Sequence, residues 1–474
     1  VDDGETPKRT PPSRAPEPWA EFGGRLRHWR RNLGLTQAQL GARVGYDHSA
    51  ISKLESGVRQ PLPPLVRRLD EVLGAGGELV AVWTAVAEAR SCAPAAGVLR
   101  AAPLPGEGAA RGIGLALPDG LVWPSRLPSY AMTCPLHGGE DCAVPPLEEA
   151  SAIHGAFRAP GAPPGAGADI DTVHVLAGLL AVYERAGDER PSPALAAEVE
   201  RTLHAIVRRL ETAGCREPAR RALLRLAAAY AELAGELRML HGQNGLAMAW
   251  FDKGVRWAAA CGDSAMRVAL LIDMSTLAKL ENDAPSALAY ARAIREAAPG
   301  RHWAATMAHL CEARGHTLGG DVRQCLRHIA LARDGLDRFG ERGTAEVPWL
   351  ATFPGPVRVE SGAAGALRDI AAMTSDRSVA RLAVEAARTS LDHLGPRTRP
   401  TRLLFTLRLA DGHACAGDPE AAVAVAGPVL AEASAASSVM IGRELRGLRD
   451  RLVARWSGRP EVDDLITRLA DGLS

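Results

Sequence analysis

The stretch LTQAQLGARVGYDHSAISKLESG, residues 35–57, decides how the chain is read. Thr36 is a strong N-cap residue type and opens a helix over Gln37–Val44, with Leu40 and Val44 facing inward. Gly45 supplies a tight turn. Asp47 then caps a second helix, His48–Ser56, whose buried face is Ile51 and Leu54 and which Gly57 stops. The short connection forces the two helices to cross, the geometry that lets one enter a DNA major groove while the other lies across the backbone. Opposite Ile51 and Leu54 stand His48, Ser49, Ser52 and Lys53, donors of modest reach suited to base edges or phosphates. Lys53 suits either target, because lysine is a point charge without the arginine fork. His48 sits where a helix start tolerates any solvated polar group.

Working outward, residues 19–33 read as a preceding helix with an apolar stripe at Phe22, Leu26, Trp29 and Leu33, ended by Gly34. Pro61 and Pro63 open a fourth helix carrying Leu65, Leu69 and Val72, and Gly77–Arg90 reads as a fifth helix or a lead into the linker. Between Trp19 and Leu73 nine basic residues face five acidic ones, although the whole chain carries only +1. A local basic excess in a neutral chain fits a DNA-binding module, not a general nucleic-acid coat.

These residues resemble the Cro/repressor-type (xenobiotic-response-element, XRE) helix-turn-helix family. The match runs through Leu35-Thr36-Gln37-Ala38-Gln39-Leu40, Gly45, Ile51-Ser52-Lys53-Leu54-Glu55-Ser56-Gly57 and Pro61. The resemblance implies that Gln37 donates to a phosphate, that His48 and Ser49 face bases first, and that Lys53 follows one turn on. It also implies a buried ion pair between Arg30 and Glu55, tying the first helix to the third; two separately solvated side chains are the alternative. The full DNA-contacting set is then Thr36, Gln37, His48, Ser49, Ser52, Lys53 and Arg59.

Over its 474 residues the chain is 47% hydrophobic but only 4% aromatic, and Ala and Leu dominate, a mix that favours helix over strand. The expected fold class is all-α. Residues 1–18 are Pro-rich and charged and read as a disordered arm. Residues 19–90 form the helix-turn-helix domain. Residues 91–169 are a Pro/Gly/Ala-rich linker, with room for a small cysteine-containing element around Ile113–Leu147. Residues 170–474 return to helical periodicity.

That last region repeats. Asp283, Asp321 and Asp418 are each followed four residues later by a small residue (Ala287, Cys325, Ala422) and four later again by a small or apolar one (Ala291, Ile329, Ala426). Weaker copies start at Gln243 and Asp376. A recurrence near about forty residues signals stacked helical hairpins, in which Asp or Gly ends the first helix. An insertion over roughly Phe339–Ala366 accounts for one longer interval. Gly235, Ala247 and Phe251 keep a spacing that resembles tetratricopeptide repeats, which implies a right-handed α-solenoid with a concave face where Trp250, Trp257 and Trp303 are candidate contacts. An irregular Ala-rich helical bundle is the alternative.

Cys134-Pro-Leu-His137-Gly-Gly-Glu-Asp-Cys142 invites a zinc reading, with Cys92 or His154 as the fourth ligand. Its Cys-x2-His-x4-Cys spacing brings only three ligands close, short of a tetrahedral set, so an ordinary loop is expected and no cofactor is assigned. A Gly-rich phosphate loop with Lys, a His-Glu-x-x-His and a Gly-x-Ser-x-Gly are all missing from the sequence, so an enzyme is not expected. The N-terminus has no secretory signal and no apolar run is long enough to span a bilayer, which points to a cytoplasmic, nucleoid-associated protein. The resemblance extends to regulators in which this DNA module precedes tetratricopeptide-like repeats. It implies double-stranded DNA as a partner, a homodimer, a peptide, small-molecule or protein ligand on the concave face, and no membrane. A scaffold localised to DNA through the same module is the alternative function.

Overall fold

The computed structural model describes residues 19–46, 48–57, 61, 63–92, 117, 121–130, 132–139, 141–159, 170–211, 217–338, 346–347, 354–395, 398–436 and 438–473. They divide into two compact units, Val1–Gly108 and Ala109–Ser474. None of the described helices is long and apolar enough to cross a membrane.

The first unit holds five helices: α1 (Ala20–Asn32), α2 (Gln37–Val44), α3 (His48–Glu55), α4 (Pro63–Leu73) and α5 (Glu78–Cys92). Thr36 caps α2 through a reciprocal pair: its Oγ1 accepts from Gln39 N at 3.1 Å, and Gln39 Oε1 accepts from Thr36 N at 2.8 Å. Phe22, Leu26, Leu40, Val44, Ile51, Leu54, Leu65 and Leu69 close one core. Leu33 departs from the expected stripe: it is the C-cap of α1 and stands 48% exposed, while Arg30 takes the inward place one turn earlier. Buried Asp70 joins α4 to α5 by accepting from Gly77 N at 2.7 Å and Leu79 N at 2.9 Å. The indoles of Trp19 and Trp83 stack with centroids 6.3 Å apart.

The second unit begins with a short antiparallel pair, β1 (Arg126–Leu127) and β2 (Cys142–Ala143), then α6 (Leu147–Arg158). Part of the stretch read as linker is therefore folded, and it packs on the helices beyond it: Leu127, Cys134, Cys142, Val144 and Phe157 share a core with Val173, Leu176 and Leu180. Next come α7 (Ile170–Glu189), α8 (Pro193–Glu211), α9 (Ala219–Leu240), α10 (Asn244–Cys261), α11 (Ser264–Leu280), α12 (Ala284–Ala297), α13 (His302–Leu318) and α14 (Val322–Leu336). The series continues with α15 (Gly355–Thr374), α16 (Arg377–Asp392), α17 (Arg399–Ala416), α18 (Pro419–Ala426), α19 (Leu430–Ala435), α20 (Val439–Trp456) and α21 (Pro460–Leu473). Helix α15 starts at Gly355, inside the expected insertion, because Pro356 lies in its first turn, where a proline is tolerated.

Consecutive helices pair as hairpins, α9 with α10, α11 with α12, α13 with α14, and α15 with α16. The recurring turn aspartates do more than close the first helix of each pair, where the backbone N of Asp283, Asp321 and Asp418 donates to the carbonyls of Ala278, His316 and His413 at 2.8, 2.9 and 3.0 Å. They cap the second: Asp283, Asp321 and Asp418 accept from the backbone N of Ser286, Gln324 and Ala421 at 2.9, 3.0 and 3.0 Å, and Asp376 accepts from Ser378 N at 2.8 Å. The residue just before each aspartate makes the reversal. It is Gly320 (φ +73°) and Gly417 (φ +89°) in two cases, and Asn282 (φ +56°) and Ser375 (φ +57°) in the others. In α9–α10 and in α13–α14 the close approach is made by a glycine, Gly235 and Gly335. A Cβ on Gly235 would lie 2.3 Å from the Phe251 ring, so the α9–α10 contact requires glycine there.

The stack does not stay open. Helix α7 packs against α17 and α9 against α20, and Arg443 Nη1 of α20 donates to the Leu280 carbonyl at 2.7 Å. The hairpins curl until the late ones meet the early ones.

Candidate nucleic-acid interface and ligand cavity

The rear of α3 is locked in place. Glu55 is buried, and Arg30, also buried, grips its carboxylate through two nitrogens, Nε to Oε1 at 2.5 Å and Nη2 to Oε2 at 3.0 Å. Arg30 Nη1 donates in addition to the Leu35 carbonyl at 2.7 Å, so one guanidinium ties α1, the α1–α2 turn and α3 together. Arg27 adds two longer hydrogen bonds, to Glu55 Oε2 at 3.4 Å and to the Glu55 carbonyl at 3.2 Å. Burial pushes the Glu55 carboxyl up, but hydrogen bonds from Arg30 and Gln37 and the charges of Arg30 and Arg27 outweigh it and hold the group below its ordinary range. Gly23 lets the helices come this close: a Cβ there would lie 2.5 Å from the Glu55 carbonyl oxygen. No signal of the apolar stripe singled out Gly23, because it contributes by lacking a side chain.

Gln37, expected to donate to a phosphate, also supports the ion pair. Its Nε2 donates to Glu55 Oε2 at 2.9 Å, since the carboxylate has an acceptor site left after Arg30 is bound. Thr36 Oγ1 accepts in the cap of α2 and the residue is exposed. His48, Ser52 and Lys53 are exposed along the front of α3. Ser49 lies in α3, its side chain outside the described set, and Asp47 and Arg59 fall outside the described residues.

With this geometry in view, residues 21–83 match the helix-turn-helix domain family. This part of the chain is a helix-turn-helix DNA-binding domain. No curated protein and no solved structure matches the chain.

The helices of the second unit line a cavity of about 640 Å³ that opens to solvent. Six acidic residues and three arginines line it. Arg301 is paired to Glu346 at 2.8 Å and Arg225 stands 4.0 Å from Asp263. That leaves Glu184, Asp188, Glu232 and Glu236 around Arg358. Tyr130, from the folded part of the linker, donates to Asp188 Oδ2 at 2.5 Å. Burial raises the pKa of all four acids; for Glu236, burial and the charge of Asp188 lift it to about 7 against the opposing charge of Arg358. A second cavity, of about 480 Å³, is lined by six cations; Lys279, Arg368, Arg408 and Arg451 have carboxylate partners in Asp369, Asp411 and Glu444, while Arg314 donates to Thr276 Oγ1 at 3.3 Å and Arg443 to the Leu280 carbonyl at 2.7 Å.

Of the three tryptophans considered for the concave face, Trp303 lines the acidic cavity and donates to Glu346 Oε2 at 3.1 Å. Trp250 is buried and donates to Glu200 Oε1 at 2.9 Å, and Trp257 packs against the core of α7–α10.

Proposed function

We propose that the chain is a sequence-specific transcriptional regulator of the Cro/repressor (XRE) type whose ring of tetratricopeptide-like hairpins adjusts DNA binding to a cationic ligand. The observation that carries this reading is α3 as the reading helix: His48, Ser52 and Lys53 are exposed on its front while its back is fixed by a buried ion pair. Phosphate contacts from the basic module supply affinity and the short donors of α3 supply discrimination. The acidic cavity supports the second half. A cation that enters meets carboxylates whose ionisation is costly in its absence, so binding stabilises them and releases protons. A peptide amine or a small polyamine has the required charge. The ring makes no catalytic step in this reading. A homodimer fits it, because one module reads only a half-site and two-fold partners read half-sites about one helical turn apart. The site of action is then the cytoplasm, at the nucleoid.

Selection of binding sites from random duplex DNA by the full chain, followed by gel shifts, tests the reading. A recovered sequence with two half-sites is expected. Trilysine peptide is expected to change the affinity of the wild type, and much less that of Glu232→Gln/Glu236→Gln, a control that removes the peptide's own attraction to DNA. Recovery of no preferred sequence overturns the regulator, and an equal peptide effect on both proteins overturns the sensing.

A further inference from the structure

We propose that Cys134, His137, Cys142 and His174 form a structural zinc site that clamps the folded part of the linker onto α7. Three of these residues lie in the Cys-x2-His-x4-Cys stretch. The fourth comes from neither of the residues considered for it in the sequence. His154 is buried elsewhere, within hydrogen-bonding distance of Thr202 at 3.4 Å, and the Cys92 side chain lies outside the described set. It is His174, on the inward face of α7 and forty positions from Cys134.

The geometry has the dimensions of a metal site. Cys134 and Gly138 exchange backbone hydrogen bonds at 3.0 and 2.8 Å, closing a tight turn that directs Cys134 and His137 toward one point. Strand β2 brings Cys142 to the same point. Cys134 Sγ lies 3.2 Å from His174 Nε2 and 3.5 Å from His137 Nδ1, and Cys142 Sγ lies 3.2 Å from His137 Nδ1. One ligand atom from each of the four residues falls within 4.8 Å of all the others. In a tetrahedral zinc centre with ordinary bond lengths, a sulfur and a nitrogen are about 3.6 Å apart.

Charge selects the ion. Two thiolates and two neutral imidazoles around Zn2+ sum to zero, which suits a site where Cys134, Cys142 and His174 are buried and only His137 is exposed. The other histidine cluster among the described residues, His309, Glu312 and His328, lacks this property. Arg295 already binds both oxygens of Glu312, at 2.5 and 2.6 Å, and would face any cation placed there.

The clamp has a mechanical role. Residues 121–144 meet the core through Leu127, Cys134, Cys142 and Val144, and Tyr130, Met132 and Cys134 form one wall of the acidic cavity. Arg225 reaches the Pro135 carbonyl at 2.9 Å from α9. Binding of the ion holds that wall against α7 and α9. This inference stands whether or not the cavity binds a cation.

The full chain, expressed with added zinc and dialysed, should retain close to one zinc per molecule. Chelated and reloaded with Co2+, it should show the visible bands of a tetrahedral site and a thiolate-to-cobalt band in the near ultraviolet. His137→Ala changes an exposed residue, and it and Cys134→Ser should lower zinc affinity by more than the about 100-fold that loss of an outer partner costs. His174→Cys should keep the metal and intensify the thiolate band. If these variants fail to fold, the wild-type zinc content, the cobalt spectrum and protection of Cys134 and Cys142 from alkylation by added zinc decide the matter. Absence of retained zinc together with an octahedral cobalt spectrum, thiols that alkylate only after reduction, or a Cys134→Ser protein that binds cobalt as the wild type does, each overturns the proposal.

Discussion

Arg30 and Glu55, twenty-five positions apart, meet as a two-point pair in which Nη2 and Oε2 are 3.0 Å apart and both side chains are buried. The pair does more than add attraction. Packing of Leu26 on Leu54 leaves α3 free to roll, whereas a planar guanidinium on a planar carboxylate fixes the roll. Glu55→Ala strands Arg30 inside the module and should cost about 3–5 kcal/mol. Replacing both residues with leucine should be milder, but not neutral, because Gln37 and the Leu35 carbonyl lose their partners too. Chemical denaturation of the three proteins measures this. Unchanged stability of Glu55→Ala would remove the pair from the account of how α3 is held.

The front of α3 should behave in the opposite way. His48→Ala and Lys53→Ala touch exposed side chains, so their thermal midpoints should stay within about 2–4 °C of the wild type, since a surface change usually stays within about 0.5 kcal/mol. Specific binding should weaken by about 1–3 kcal/mol for each hydrogen bond to a base that is removed, with non-specific binding reduced less. Gel shifts on a selected site and on a scrambled one make the distinction.

The cavity acids give a pH prediction with a definite sign. The Glu236 carboxyl titrates at about 7 in the folded chain against an ordinary 4.5. Folded Glu236 therefore keeps its proton where unfolded Glu236 has lost it, and its contribution to stability falls as pH rises from about 4.5 to about 7. Glu236→Gln removes that loss. It should raise stability at pH 8 by about 1–2 kcal/mol, the shift being discounted for the water that reaches a half-buried group, and the gain should vanish near pH 4.5. Taking the difference between the two proteins cancels the buried histidines, His154 and His204 among them, whose lowered pKa values act in the other direction. A gain that is constant with pH would place Glu236 in solvent.

Two substitutions test the hairpin joints. Ser375 occupies the left-handed region that costs a non-glycine residue about 1–2 kcal/mol, so Ser375→Gly should stabilise the ring by up to about 1 kcal/mol after loss of its exposed hydrogen bond from Arg455 at 3.1 Å. Gly235→Ala should destabilise it by about 1–3 kcal/mol, because the Phe251 ring fills the space. Calorimetry on both variants reads the opposite signs directly.

Much of this was legible in the residue order, for a physical reason. Thr36, Gly45 and Gly57 act on the backbone within a few residues, and the inward positions Leu40, Ile51 and Leu54 follow from helical period alone. Leu33 misled because the stripe runs one residue past the helix, where φ and ψ no longer keep it inward. The turn aspartates were visible as the end of one helix, but not as side-chain caps of the next, because a turn residue marks a joint without saying how many sides of it the residue serves. That Gln37 also donates to Glu55 was hidden, a fact of three-dimensional proximity. His174 was hidden for the same reason: nothing in the spacing of an apolar helix separates an inward histidine that packs from one that meets two cysteines. Closure of the ring was least visible, since it accumulates from small rotations between successive hairpins.

That closure has a consequence for how such a chain can change over generations. A repeat array with free ends lengthens or shortens by duplicating or losing one unit, and its neighbours hardly notice. Here α7 rests on α17 and α9 on α20, so gaining or losing a hairpin would pull those seams apart. The number of units is frozen by geometry. Variation is left to the segments between helices and to the lining of the interior, which can drift toward a new guest while the circumference stays the same.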